Sequence, residues 1–223
     1  MRTALVGVAT VLVLAIVVVA RAGGVSALGG GGDPDSYTFL DHQADSGAPI
    51  TYSSCRPIPV EFNLNGVDDQ KTTRSILLEA MGEASAASHL NLVFAGDSMR
   101  RPRPGGATMQ GYPVLIAFAD TAEMPTMDGA AGRGGSSWIE DGRSRRYISG
   151  QIVLEKSYWN EHLDDWRGKE TARAIVMHEL GHVLGLGHVD DDHQIMSKSG
   201  SGTYEYGAGD RAGLAILGRG PCA

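Results

Sequence analysis

His178-Glu179-Leu180-Gly181-His182 sets two imidazoles four residues apart. On a helix that spacing puts both on one face, so both can offer a ring nitrogen to one metal ion. Glu179 follows the first histidine directly and falls beside such an ion rather than on it, where it can take a proton from water. Val183-Leu184-Gly185-Leu186-Gly187-His188 completes the pattern. Gly185 can adopt the left-handed conformation that ends a helix at low cost, after which the chain turns and His188 returns as a third ligand. Three protein ligands leave one position for water, the pattern of a catalytic rather than a structural zinc. Zinc in that setting lowers the pKa of water to about 7 and polarises a carbonyl, with Glu179 as general base and then general acid to a leaving amine. The bland reading, a His-rich helix that merely packs, would make poor core material.

The elements that must position these residues are legible in outline. Ile58 to Leu64 alternates apolar and polar residues, as a half-buried strand does. From Asp68 to about Ser88 there is no proline, and Ile76, Leu77, Ala80 and Met81 recur at helical spacing. Leu90 to Phe94, Val114 to Ala119 and Tyr147 to Leu154 read as further strands, and Asp165 to Leu184 as the helix that carries the motif. Met99 to Gly111 and the Gly- and Met-rich stretch Thr121 to Ser137 read as loops. Asp210 reads as the cap of a last helix that runs to Leu217 and ends at Gly218. The order predicts an α/β domain built on one twisted sheet.

The motif from His178 to His188 resembles that of the metzincin zinc metallopeptidases. The resemblance implies a Met-containing turn beneath the zinc, and Gln194-Ile195-Met196-Ser197 stands at the right place, with Met196 as the candidate. The tail from Tyr204 to Leu214 is similar to the matrixin branch, in which a loop after the Met turn leads into a helix opened by an acidic residue. The resemblance is specific over residues 177–217 and architectural over residues 52–159. It implies a single metzincin-like α/β (α+β) domain: a twisted mixed sheet, two long helices, a zinc cleft and a short C-terminal subdomain with a final helix. It also implies an endopeptidase whose extended substrate lies along a sheet edge, with the strand near Ser149 to Leu154 and the loop Gly135 to Trp138 as the cleft's upper rim. The sequence departs from the family in places. No Cys-containing latency peptide is recognisable ahead of the domain, Val189 follows His188 where many matrixins have Ser, and no loop for a second zinc and calcium can be identified.

Around the motif, Asp190, Asp191 and Asp192 read either as a calcium or supporting site or, more simply, as a solvated turn; no clear calcium motif is present. Tyr204 and Tyr206 read as loop packing, with a pocket wall or oxyanion donor as the alternative. His42, His89, His162 and His193 carry no partner pattern.

The 223 residues fit one domain plus a leader. Arg2 followed by the apolar run Ala4 to Ala20 and the small-residue sites near Ala22 and Ala27 predicts residues 1–27 to be a cleaved signal or a membrane anchor of roughly 17 apolar residues. Either reading puts the rest outside the cytoplasm, secreted or held at the cell surface. Residues 28–51, with Gly29 to Gly32 in a row, read as a flexible linker, and residues 52–223 as the catalytic domain. Two cysteines in an exported chain suggest a Cys55–Cys222 disulfide closing a loop of roughly 170 residues; the alternative is Cys55 as a zinc-blocking latency switch. The net charge of −7, without a basic stripe, excludes a nucleic-acid binder. A protein or peptide substrate and a monomer are expected. The competing reading is a catalytically idle, zinc-stabilised cell-surface binding module, which has no need of Glu179.

Overall fold

The computed structural model describes residues 6–8, 31–104, 111–127, 129–142, 144–200 and 202–222. Most of the apolar run Ala4 to Ala20, the rest of the presumed leader and part of the Met99 to Gly111 loop lie outside the described residues. Among the described residues, no helix is long and apolar enough to cross a membrane.

A twisted mixed sheet forms the frame. It contains β2 (Ile58–Asn63), β3 (Leu92–Asp97), β4 (Val114–Ala119), β5 (Gly132–Asp141) and β6 (Ser144–Glu155). A three-residue strand, β1 (Val6–Val8), lies antiparallel against Ser137–Ile139 at the β5 edge. The order across the sheet is β1-β5-β6-β4-β2-β3, with β3, β2, β4 and β6 parallel and β5 antiparallel to β6. Strand β4 sits in the middle and all of its residues are buried, as an unbroken Val-Leu-Ile-Ala-Phe-Ala run requires. Met124 and Met127 pack with Ala119 and Val153 in a separate apolar cluster.

Among the described residues, four α-helices complete the domain: α1 (Gln70–Ser88), α2 (Lys156–His162), α3 (Gly168–Leu184) and α4 (Ala208–Leu217). Asp69 caps α1 by accepting from Thr72 N–H at 3.0 Å, and Ile76, Leu77, Ala80, Met81 and Ala84 form its buried face. That face meets α3 and the sheet in one continuous core with Val60, Phe62, Ile116, Val176, Leu180 and Leu184. Phe118 meets Trp159 of α2 edge-on, and the indole N–H donates to Thr73 Oγ1 at 2.9 Å. Helix α3 ends at Gly185 with φ 118°, the left-handed stop expected there.

Four features differ from the sequence reading. The Gly-rich segment read as loop through Ser137 becomes strand β5 from Gly132 onward. Its glycines break the alternation that marks a strand, and they are needed because β5 lies directly on α3. A β-carbon on Gly132 would come 2.9 Å from Glu179 Cγ, and one on Gly134 would overlap the Glu179 carbonyl oxygen. Helix α2, short and following β6 without a break, was not anticipated. Asp210 is not the cap of α4: Gly207 holds that position, and Asp210 reaches back from the first turn to accept from Gly207 N–H at 2.9 Å. The segment 31–51 makes specific bonds to the domain despite its linker-like composition; Leu40 N–H donates to Gly185 O and Ile50 is buried.

Cys55 and Cys222 are joined in a disulfide with Cα atoms 5.1 Å apart, leaving no free cysteine among the described residues. The bond fastens the C-terminal tail beside the entry to β2, where Ser54 Oγ also donates to Gly220 O at 2.6 Å.

Candidate metal centre

His178 and His182 sit one turn apart on α3 and are 3% and 1% exposed. His188, half-buried, arrives from the turn after Gly185. The Nε2 atoms converge: His188 lies 3.1 Å from His178 and 3.2 Å from His182. Among the described residues this is the group that brings three metal-ligating atoms together, all within 4.8 Å of one another.

The opposite ring nitrogens fix what the Nε2 atoms are. His178 Nδ1 faces Ile195 O at 2.7 Å and His182 Nδ1 faces Leu186 O at 2.9 Å. A carbonyl only accepts, so each Nδ1 carries the proton and each Nε2 carries a lone pair. Burial pushes His178 down to about 4 and His182 well below the usual imidazole range, so both are neutral at neutral pH. His188 is lowered as well, first by burial and then by the charge of Lys198. The lone pairs of His178 and His182 both point at His188 Nε2 at hydrogen-bond distance, an arrangement that a cation among the three nitrogens would satisfy. Three neutral imidazoles in such an array suit zinc.

Glu179 is fully buried and, among the described residues, neither carboxylate oxygen has a hydrogen-bond partner. Burial pushes its carboxyl up to about 8, against a smaller opposing pull from Gly134 N–H and the Arg133 charge. A buried carboxyl with no hydrogen-bond partner among the described residues is costly to keep ionised.

Met196 lies beneath the helix, 1% exposed, so close that a β-carbon on Gly181 would come 2.5 Å from its sulfur. The turn Gln194–Ser197 that carries it closes through Ser197 N–H to Gln194 O at 3.2 Å. It is tied to the residue after His188 by Val189 N–H to Met196 O and Lys198 N–H to Val189 O, both at 3.0 Å. Asp210 holds it from the other side, accepting from Ile195 N–H at 2.6 Å and Met196 N–H at 3.3 Å.

The other candidates resolve differently. Asp190 to Asp192 is not simply a solvated turn. Asp190 pairs with Lys198 at the surface, but Asp191 accepts from Asp33 N–H, His193 N–H and Gln194 Nε2, and Asp192 from Ser197 and Ser199. Tyr206 is core, its hydroxyl donating to Met177 O at 2.7 Å, whereas Arg173 reaches Tyr204 through the backbone carbonyl. Gln194 escaped the sequence reading: it is fully buried, its Oε1 accepting from Asp210 N–H and its Nε2 donating to Asp191. A lone glutamine in a polar tail gives no signal of that role.

Residues 114–214 match the family model described as matrixin, and no curated protein matches the chain. The match runs from β4 through the three-histidine helix and the Met196 turn into α4. Across that span the chain is similar to the matrixins, a likeness that supports a zinc metallopeptidase in general class.

Proposed function

We propose that this protein is a zinc-dependent endopeptidase acting on proteins outside the cytoplasm, with His178, His182 and His188 holding the metal and Glu179 moving the proton. The observation that carries the reading is the pairing of three convergent imidazole Nε2 atoms with a buried carboxyl that has no hydrogen-bond partner among the described residues. When bound there, zinc supplies Lewis acidity, polarising a peptide carbonyl and lowering the pKa of water. The chain supplies the rest. Ile195 O and Leu186 O keep two imidazoles in the ligating tautomer. Glu179 accepts the proton from the attacking water at a carboxylate oxygen and returns it to the leaving nitrogen. Met196, fixed by Asp210 and pressed against Gly181, forms the floor that holds the imidazoles in register.

An extended peptide would lie along β5. Its Gly132–Ser136 stretch is beyond the pairing with β1 and adjoins Glu179, so a substrate strand added at that edge would bring its carbonyl to the metal. The apolar run Ala4 to Ala20 supports export, with secretion or surface anchoring decided by whether it is cleaved. The reading is tested by Glu179→Ala: full zinc content with hydrolysis reduced by at least about a hundredfold is expected. Unchanged turnover in that variant would remove the assigned base, whereas a folded, zinc-loaded wild type without turnover would favour the idle binding-module reading.

A further inference from the structure

His178 and His182 are held by a helix and by carbonyls at Nδ1. The His188 turn is held through its backbone, from α3 and the Met196 turn on one side and from a segment far upstream on the other. Leu40 N–H donates to Gly185 O at 2.9 Å, Gly187 N–H donates to Thr38 O at 2.8 Å, and Phe39 bridges antiparallel to Leu186. Thr38 Oγ1 donates to His188 O at 3.0 Å across a separation of 150 residues. Thr38 thus grips two successive residues, one through its carbonyl and one through its hydroxyl. A β-carbon on Gly187 would lie 2.6 Å from Thr38 Oγ1, so the approach leaves room for glycine and little else.

The far end of the segment is anchored as well. Asp33 N–H donates to Asp191 Oδ2 at 2.9 Å, the same oxygen that receives Gln194 Nε2 at 2.8 Å. Ala208 N–H donates to Gly31 O at 3.1 Å at the start of α4. The strap therefore runs from the first turn of α4, past the Met196 turn, to the residue that bears the third ligand.

We propose that Thr38 is a positioning residue for His188, and that the strap of residues 33–40 is a working part of the metal centre: by clasping Gly187 and His188 it fixes the third imidazole and so sets how tightly the site holds zinc. A turn whose backbone groups were left to water would sample several directions for His188, and each departure would cost metal affinity. The inference rests on the zinc-site reading above and goes beyond it by making an upstream hydroxyl a determinant of metal retention.

The test is zinc affinity of the full chain, measured by competition with a chromogenic chelator at a temperature where circular dichroism shows the metal-free forms folded. Thr38→Val keeps the shape and removes the donor; Thr38→Ser keeps the donor. Thr38→Val should hold zinc about tenfold more weakly than wild type, and Thr38→Ser should recover most of that loss. Equal affinity for wild type and Thr38→Val would overturn the proposal, as would a Thr38→Ser variant as weak as Thr38→Val, since a retained donor would then not hold the site. Wild type that binds no zinc would overturn the underlying site reading as well, an outcome distinct from either.

Discussion

Gly181 and Met196 meet at the underside of the metal centre, where a β-carbon on the glycine would stand 2.5 Å from the methionine sulfur. Gly181 precedes the second ligand on α3, so its missing side chain is what lets the Met196 turn lie flush beneath both helical histidines. Gly181→Ala is expected to destabilise the fold by about 1–3 kcal/mol through overpacking and to weaken zinc binding. The cost should shrink in a Met196→Ala background, where the obstructing sulfur is gone; a double-mutant cycle in thermal or denaturant unfolding measures the coupling. Additive losses would place the strain elsewhere.

Gly132 and Gly134 face the same residue but different parts of it. A β-carbon on Gly132 meets the flexible end of Glu179, with Oε1 at 3.0 Å, while one on Gly134 meets its backbone. Gly132→Ala should therefore impair hydrolysis more than stability by displacing the carboxylate. Gly134→Ala should lower the unfolding midpoint by lifting β5 off α3. Unfolding curves and kcat/KM on the two variants separate the effects.

Asp191 gives the acid side of the stability profile. Hydrogen bonds from Gln194 Nε2, His193 N–H and Asp33 N–H, in that order, hold its carboxyl well below the usual carboxylate range. Its folded pKa is thus depressed, so its contribution is fully present above the unfolded value of about 3.9 and is lost as pH falls through the lower folded value. Asp191→Asn should lower stability at neutral pH and flatten the loss seen below about pH 4. A midpoint-against-pH curve for the variant that parallels wild type throughout would contradict this role.

The Cys55–Cys222 bond closes a separation of 167 residues. Its removal in a Cys55→Ser/Cys222→Ser pair should cost about 2–4 kcal/mol of unfolding free energy, with zinc content unchanged. A cysteine already bonded to Cys222 is not available as a zinc ligand, so mild reduction should not raise activity in the manner of a released latency switch. Activation by reductant would contradict the structural role.

The parts of this site that local sequence encodes were legible, and the parts that distant contacts encode were not. The His178–His188 spacing and Gly185 specify a helix, its stop and a returning histidine, because each depends on residues a turn or two apart. Strand β4 is equally legible, since a buried central strand is apolar throughout. Strand β5 was hidden because its glycines answer to the Glu179 backbone across the fold rather than to strand propensity. Residues 33–40 were hidden because backbone bonds dock them against Gly185 and Gly187, and composition carries no trace of such bonds. Asp210 was correctly placed at the start of α4 but given the wrong role, since its buried contacts with Ile195 and Met196 come from another element.

The most direct test is cleavage of a denatured general protein substrate by the purified chain, before and after zinc is stripped with a chelator and then restored. The account predicts activity that is lost on stripping and regained with about one zinc per chain, as a three-histidine site requires. Hydrolysis that persists in the stripped, folded protein would contradict it.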